Sequence, residues 1–473
     1  MLKFILVFLF IFITSFVSAK EYSPGVDKDY PKKLLWGDTH LHSNESADAY
    51  TIGNANLTPS DAFRFARGEE VISENGVRAK LRVPLDFLLV SDHATFLGMF
   101  KRIEDRDPKI LKTPLGKRWR KYMDEDDPTL FTEFVDGLNG NLDLTFSKED
   151  YVPIWKEITE NVDKFNQPGI FTAFIGYEWT PMPTGDNMHR VVVFKDDAKL
   201  AQKIVPFSAI DSMKPEDLWN FLKDYNSSTG GEAISISHNS NISGGRMFSL
   251  ENSYEEPIDS VYANMRNRWE PLVEATQVKG DSETHPAISP DDPFADYERW
   301  EGNIGRSQTK RLIRISTTGD CKDPLNYKCY KYKDKERYKG SYVRSGLRRG
   351  LEIEKKIGVN PFKFGVIGST DNHTALAASA EDNFFGKFVD SEPGPGRMSN
   401  CMAGCDRPDG DEPHLMSEFY SYDHDLSSGP SVPNLSYSTT GINNVNLTWD
   451  MAAGNAKVYF QLVSSTLELT IYK

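Results

Sequence analysis

The amino-acid sequence predicts an α/β fold in which a parallel sheet of about seven strands closes into a barrel. Apolar runs rich in β-branched and aromatic residues recur along the chain, helical patterns lie between them, and a polar cluster follows each run. Strands that alternate with helices favour a parallel sheet, and near-continuous apolar strands suit a sheet that is covered on both faces. In such barrels the functional site lies at the carboxyl ends of the strands.

The chain of 473 residues begins with a segment typical of a secretory signal peptide. Lys3 precedes an apolar stretch at 4–14, and small residues end at Ala19. A positive start, an apolar centre and a small-residue cleavage site define such peptides. Residues 1–19 are therefore predicted to be removed and the protein to be periplasmic or secreted, with no membrane attachment after cleavage. An uncleaved anchor is the alternative, but the stretch is short for a span of ~20 residues.

The predicted strands and helices alternate through most of the chain. The strands are the apolar runs at residues 34–36, 86–91, 171–177, 190–194, 233–237, 272–278 and 364–368. One helix begins with Thr58 as its N-cap and Pro59 at its first position. Other helical patterns cover residues 151–165, 215–225 and 342–357. These elements predict a barrel domain over residues 20–387.

Three further segments differ in composition from the barrel elements. Residues 95–150 and 281–341 are polar, charged and aromatic with little periodicity, and are predicted to be long insertions at the strand ends. From residue 388 to 473 the chain is rich in Gly, Pro, Ser and Asn, and its last part alternates loosely as short strands do. We therefore predict a separate carboxyl-terminal tail, β-rich in its last part.

The cysteines form two close pairs along the chain, Cys321 with Cys329 and Cys401 with Cys405. Two local disulfides are expected in an exported protein. A zinc site made of all four thiolates is the alternative, although the spacings are not those of paired C-x2-C motifs.

The formal net charge of −14 argues against nucleic acid as a partner, because such binding needs a basic surface. If the substrate is an anion, the positive charge that binds it must be local.

Histidines and carboxylates cluster at the predicted strand ends. Five of the nine histidines follow a strand and a sixth precedes one. In chain order the polar residues are Asp38, His40, His42, Asp48, Asp92, His93, Glu178, His189, His238, Asp371 and His373. Taken singly, His189 or His238 would more often be structural, Glu178, Asp48 or Asp92 could cap a helix, and Asp38 could simply orient a backbone turn. Together, imidazole nitrogens and carboxylate oxygens without thiolate suit zinc, manganese or iron. Six histidines and two carboxylates exceed the needs of one ion, which predicts two or three.

The order of these motifs resembles that of the PHP (polymerase and histidinol phosphatase) superfamily. More narrowly, GDTHLH, VSDHATFLG, FIGYEWT, ISISHN, QVKGDSETHP and NPFKFGVIGSTDNH look like a bacterial branch catalogued as domain of unknown function 3604. The resemblance covers roughly residues 34–386. It implies a distorted (β/α)7 barrel and a metal-dependent phosphoesterase. A helix-rich segment that follows the last motif in the family is not recognisable here after about Lys387.

The resemblance also implies a role for each residue. His40, His42, Glu178 and Asp371 would surround a first ion, and Glu178 would bridge to a second ion held by His189 and His238. His93 and His373 would hold a third, with Asp48 where the family often has another histidine. Asp38 and Asp92 would fix histidine tautomers from behind the ligands. Glu178, Asp371 and Asp48 would be the catalytic carboxylates.

The predicted chemistry is attack on a phosphate ester by a water or hydroxide that bridges the ions. Divalent ions would make the pocket positive within an acidic protein and attract a small anionic substrate. Arg266, Arg268 and Lys279 flank the sixth strand and could bind further anionic oxygens, or they could form a solvated basic face. The general acid would be Asp48 or a water.

Two other functions remain open at this stage. One is metal-dependent hydrolysis of another bond, such as a sulfate ester, a phosphonate ester or a C–N bond. Amidohydrolases with C–N activity usually carry a bridging lysine on a strand, and none stands in place of Glu178. The other is an exported metal-binding protein without catalysis, for which a closed four-ligand site would be typical.

Overall fold

The computed structural model of the protein describes residues 35–394, apart from 139, 278–279, 287, 296 and 298–334, together with four short strands farther along the chain. The predicted signal peptide, the four cysteines and Lys279 lie outside the described residues. The expectations of export and of local disulfides therefore stay predictions.

Seven strands form one curled sheet with the shape of a half-barrel. In chain order the strands up to residue 394 are β1 (Leu35–Asp38), β2 (Val71–Ile72), β3 (Arg78–Ala79), β4 (Phe87–Leu89), β5 (Thr172–Trp179), β6 (Arg190–Phe194), β7 (Ala233–Ser237), β8 (Leu272–Gln277), β9 (Gly280–Asp281) and β10 (Gly365–Gly368). The order across the half-barrel is β10, β8, β7, β6, β5, β4, β1. Each of the seven predicted runs coincides with or overlaps one of these strands, so the mixed α/β class is confirmed.

The sheet differs from the predicted parallel barrel in the direction of one strand. β6 runs antiparallel to both of its neighbours, β5 and β7, whereas β1 with β4, β4 with β5, β7 with β8 and β8 with β10 are parallel pairs. A parallel connection needs a dozen or more residues, usually with a helix. The link between β5 and β6 covers only residues 180–189 and contains a single 3-10 turn, Pro183–Gly185. The short link therefore reverses the chain.

The half-barrel is also not closed. β1 and β10 stand at its two ends, and in the described part of the chain they do not pair as strands. Backbone hydrogen bonds instead join the segments that follow them. Asp371 N donates to His40 O at 2.7 Å, and His42 N donates to Asn372 O at 2.9 Å. The two ends therefore meet only at the edge of the sheet that carries the predicted site.

The helices include the four that the sequence predicts and several that it does not. They are Ala47–Thr51, Pro59–Ala66, Met99–Glu104, Pro114–Asp124, Thr129–Leu138, Lys148–Phe165, Ala198–Ala201, Pro215–Thr229, Ser260–Trp269, Lys335–Lys339 and Val343–Ile357. The predicted N-cap at Thr58 forms a capping box with Asp61, which satisfies two backbone N–H groups at the helix start.

Residues 95–150, predicted to be an insertion with little periodicity, hold three short helices packed on aromatic residues. Trp119 is fully buried, and its ring lies 4.8 Å from that of Phe96 and 4.9 Å from that of Phe100. Buried residues recur at helical spacing in two of these helices, Leu115 with Trp119 and Phe134 with Leu138, so the expectation of little periodicity was wrong there.

The main core lies between the sheet and the helices that cover it. Trp155 of the helix Lys148–Phe165 contacts Tyr177 of β5 and Phe194 of β6, with ring centroids 5.9 and 6.2 Å apart. Across the residues that the structure describes, no helix combines the length and the apolar character needed to cross a membrane.

The tail contributes four short strands. β11 (Ser436–Thr439) pairs antiparallel with β12 (Val445–Thr448), and β13 (Tyr459–Val463) pairs antiparallel with β14 (Glu468–Thr470). β13 also pairs antiparallel with β1.

Candidate metal centre

The sheet topology brings the predicted site residues to one edge. His40, His42, His93 and His238 follow strands whose carboxyl ends share that edge, and Glu178 lies near the end of β5. His189 immediately precedes β6. Because β6 runs antiparallel to its neighbours, its start lies at the same edge as their ends. The reversed strand explains why a histidine before a strand joins histidines that follow strands.

Glu178 occupies the centre of the cluster, and both of its oxygens contact histidines. Oε2 lies 3.4 Å from His40 Nε2, 3.2 Å from His42 Nε2 and 3.2 Å from His93 Nδ1. Oε1 lies 2.8 Å from His189 Nδ1 and 2.9 Å from His238 Nε2. One carboxylate is thus shared by two groups of imidazoles.

Asp371 completes the group on the Oε2 side of Glu178. Its Oδ1 lies 3.1 Å from His42 Nε2 and 3.4 Å from His40 Nε2. The residue has φ +52°, a left-handed conformation that aspartate tolerates better than most side chains. This backbone conformation, held by the hydrogen bond from Asp371 N to His40 O, accompanies the approach of the carboxylate to both histidines.

Asp48 forms the centre of a third group. Its Oδ2 lies 2.9 Å from His93 Nε2 and 2.7 Å from His373 Nε2. Its Oδ1 accepts a hydrogen bond from the Ser46 hydroxyl at 2.9 Å, and that hydroxyl oxygen lies 2.9 Å from His42 Nδ1. The residue at the position where the family often has a histidine is therefore in contact with the predicted third pair.

The cluster has the burial and the donor atoms that a metal site requires. Three sets of three or more of these side chains place one potential ligand atom each within 4.8 Å of the others, and a fourth set joins His40 and His238 to Glu274 of β8. Within the described residues, the buried atom His189 Nε2 has no hydrogen-bond partner. Buried polar atoms are rarely left in this state, and divalent ions such as zinc, manganese or iron would satisfy them. The residues present could therefore hold a metal ion.

Electrostatics divide the histidines into two kinds. Burial lowers the pKa of His189 to about 3 and outweighs the attraction of Glu178, so this ring is neutral at pH 7, as a metal ligand must be. Burial also disfavours the charged form of His42. Hydrogen bonds to Asp371 and Glu178 nevertheless raise the pKa of His42 to about 9. The carboxylates beside His42 therefore favour a positive charge at its ring, carried either by a proton or by a metal ion.

The two central carboxylates remain ionised. Burial alone would raise the pKa of Glu178, but the charges of His93 and His238 outweigh it and hold the pKa well below its usual value. His373 and His93 act in the same way against burial at Asp48, whose pKa also lies well below its usual value. An ionised Asp48 can serve as a metal ligand, whereas the alternative role of general acid requires a protonated carboxyl group.

Asp38 and Asp92 support the backbone around the histidines. Asp38 Oδ1 accepts a hydrogen bond from His40 N at 3.0 Å, and Asp92 accepts from both the backbone N and the hydroxyl of Ser43 at 2.6 Å. Neither contact reaches an imidazole ring, whereas the prediction gave these carboxylates the task of fixing tautomers. They fix the turn that carries His40 and His42 instead.

Two charged residues of the cluster escaped the sequence analysis. Glu274 lies within β8, and its Oε2 is 3.0 Å from His40 Nδ1. Lys387 is buried, and its Nζ is 3.0 Å from Asp371 Oδ2. A carboxylate inside the predicted strand 272–278 was a usable indication for Glu274. The segment around Lys387 carries no comparable indication.

Of the three predicted substrate-binding cations, the structure describes Arg266 and Arg268. Arg266 is buried and paired with Glu270, with Nη2 and Oε2 3.1 Å apart. Arg268 is exposed and stacks over Trp269. Lys279 lies outside the described residues. Contact of any of these cations with a substrate stays a prediction.

The fold and the cluster define an α/β protein with a buried histidine–carboxylate centre able to hold metal ions. The chain belongs to the family described as Protein of unknown function (DUF3604), whose model matches residues 29–417. The resemblance to that branch is therefore confirmed. A comparison with curated proteins finds no match.

Proposed function

We propose that the chain is a metal-dependent hydrolase of phosphate esters, related to the PHP superfamily, that works with two or three divalent ions. The observation that carries this proposal is the position of Glu178, whose two oxygens contact five histidines in two groups. A carboxylate shared in this way is the arrangement by which neighbouring ions are bridged in two-metal hydrolases.

Each proposed ion takes its ligands from one of the three groups of side chains. His40, His42, Glu178 and Asp371 would hold the first ion, Glu178 with His189 and His238 the second, and Asp48 with His93 and His373 the third. Bound divalent ions would supply Lewis-acid chemistry, polarising an ester oxygen and lowering the pKa of a water. The chain's own contribution is to present imidazole nitrogens and ionised carboxylates to the ions, and to exclude bulk water from the cluster.

The exposed fractions indicate the side from which a substrate would approach. The side chain of Asp48 is 18 % exposed and that of His189 is 8 %, while the other candidate ligands are at or below 4 %. A small anionic ester would reach the ions past Asp48 and His189, where only its reacting group needs to enter.

Near-complete burial of the ligands also supports a second candidate, an exported metal-binding protein without catalysis. Structural metal sites are closed to solvent, whereas catalytic sites keep an open position. The two candidates make the same prediction about metal content and differ in turnover.

The test combines elemental analysis with a matched pair of variants. The purified protein is loaded with zinc, manganese or iron and assayed with 4-nitrophenyl phosphate and 4-nitrophenyl sulfate. We expect two or three ions per chain and metal-dependent release of 4-nitrophenol from the phosphate, lost in Glu178→Gln. Glu232→Gln is the control, because Glu232 pairs with Lys195 just before β7, at the opposite edge of the sheet.

Each contrary outcome has a distinct meaning. Bound metal without turnover of any ester would favour the non-catalytic candidate, and turnover of the sulfate alone would change the substrate class. One ion or none after resupply would overturn the multinuclear site. Export is part of the proposal too, and a mature amino terminus at Lys20 would support it, whereas retention of residues 1–19 would contradict cleavage and favour the uncleaved anchor.

A further inference from the structure

Lys387 is a buried cation that the proposed chemistry does not use. Its side chain is 2 % exposed, and its ammonium contacts Asp371 twice, at the carboxylate Oδ2, 3.0 Å away, and at the backbone oxygen, to which it donates a hydrogen bond. It also lies 3.4 Å from His373 Nδ1. Burying a lysine is costly unless it is paired, so these contacts need an explanation.

The two oxygens of Asp371 face different partners. Oδ1 faces His42 and His40, 3.1 and 3.4 Å from their Nε2 atoms, while Oδ2 faces the ammonium of Lys387. We propose that Lys387 is a positioning residue that occupies Oδ2, so that Asp371 offers a metal ion a single oxygen in a fixed orientation. The proposal rests on metal binding by the cluster, but not on which ester, if any, is hydrolysed.

The same ammonium stabilises the unusual backbone of Asp371. A residue with φ +52° is disfavoured unless its surroundings hold it. The hydrogen bond from Lys387 to the Asp371 carbonyl and that from Asp371 N to His40 O hold the peptide groups on both sides. One side chain thereby sets both the backbone and the carboxylate of a proposed ligand.

Lys387 is itself held firmly in the chain. His373 N donates to the Lys387 carbonyl at 2.7 Å, which ties the lysine to the motif that contains Asp371. The preceding Gly386 has φ +101°, and a side chain there would come within 2.7 Å of the backbone at Ser391. Only glycine suits this close turn, and the turn delivers the lysine to the cluster.

The experiment compares metal binding to the full chain and to Lys387→Met, with Co²⁺ alone as the probe. Without the ammonium, Oδ2 becomes available and Asp371 can offer both oxygens. We expect weaker ligand-field absorption, because the coordination number rises, and a dissociation constant that changes by about tenfold or more, since the group that fixes the ligand is lost. Lys195→Met is the control, since it makes the same substitution in a partly exposed lysine–carboxylate pair at the opposite edge of the sheet.

The outcomes separate this proposal from the proposed function. If the wild-type chain binds no Co²⁺, metal binding itself fails. If it binds and Lys387→Met shows the same spectrum and affinity, the positioning role is wrong. Should Lys387→Met not fold, Lys387→Gln replaces it, retaining a donor without the charge. An unchanged spectrum and affinity in that variant would equally overturn the proposal.

Discussion

Glu274 illustrates how one residue outside the ligand set can control a ligand. Its Oε1 accepts a hydrogen bond from Gln277 Nε2 at 2.8 Å, which leaves Oε2 facing His40 Nδ1. A carboxylate can only accept, so the proton of His40 lies on Nδ1 in the neutral ring and Nε2 is free for a metal.

Replacing Glu274 should weaken the first metal site without removing it. Glu274→Gln puts an amide beside His40 and loosens the choice of tautomer, so we expect metal affinity to fall about 10–100-fold. Competition with a chromophoric chelator measures this change, with Glu232→Gln as the control. Unaltered affinity would show that Glu274 has no influence on His40 as a ligand.

The candidate ligands themselves should have larger effects. His40→Ala and Asp371→Asn are each expected to lose most of the metal bound at the first site. His40 Nε2 lies 3.4 Å from both Asp371 Oδ1 and Glu178 Oε2, so one ion could bind all three. Asparagine is chosen for Asp371 because it tolerates the left-handed backbone. Plasma mass spectrometry of the purified variants measures the loss, and full occupancy in either variant would refute the ligand assignment.

At the scale of secondary structure, a buried ion-pair network fixes the start of β6. Glu270 Oε1 lies 2.9 Å from Arg190 Nε, and Glu270 Oε2 lies 3.1 Å from Arg266 Nη2. Trp219 Nε1 donates to the same carboxylate at 3.1 Å. Arg190 directly follows His189, so the network anchors the reversed strand at the edge that carries the site.

Removing the charge of Glu270 should destabilise the fold. Glu270→Gln leaves two buried guanidinium groups uncompensated, and we expect the free energy of unfolding to fall by about 3–5 kcal/mol. Glu232→Gln, which breaks a partly exposed pair, should cost no more than about 1 kcal/mol. Denaturant unfolding of the purified proteins compares the two, and equal losses would contradict this account.

The same network predicts a pH dependence. Burial would raise the pKa of Glu270, but Arg190 and Arg266 outweigh it and hold the pKa below its usual value. A depressed carboxylate pKa gives stability that is present above the unfolded-state pKa of about 4.3 and is lost as pH falls through the folded-state value. The stability difference between wild type and Glu270→Gln should therefore shrink in acid, and a constant difference would refute the assignment.

The sequence predicted the elements better than their arrangement. Apolar runs identified all seven strands of the half-barrel, because alternation with helices and flanking polar residues is a local property. The reversal of β6 follows from the short link at 180–189. The sequence does not show which strands pair, so the length of this link alone did not predict the reversal. The gap between β1 and β10 depends on contacts far apart in sequence, which no local pattern encodes.

Site residues that lie in compact sequence motifs were easier to predict than those that lie outside such motifs. His40, His42, Asp371 and His373 lie in compact motifs, and the structure brings them together. Glu274 and Lys387 contact residues that are distant from them in the sequence, and nothing in their flanking residues specifies a partner. The geometry therefore adds the supporting groups rather than the proposed ligands.

For the whole molecule, metal occupancy should contribute to stability. Ions that bind the folded but not the unfolded chain stabilise it by mass action, by about 2.7 kcal/mol at a free concentration one hundred times the dissociation constant. We expect metal to raise the midpoint of thermal unfolding and a chelator to reverse the change. Calorimetry with and without metal measures this, and an unchanged midpoint in a chain shown to be loaded would contradict it.

The shared carboxylate of Glu178 has a consequence for how the chain fills with metal. An ion that fixes Oε2 also immobilises Oε1. The entropy of ordering the carboxylate is therefore lost when the first ion binds and not again when the second does. Uptake should then be cooperative, and half-loaded molecules should be scarce at every metal concentration. Native mass spectrometry during a titration would count the species directly. A distribution that follows independent sites would mean that the two groups of histidines do not communicate through Glu178.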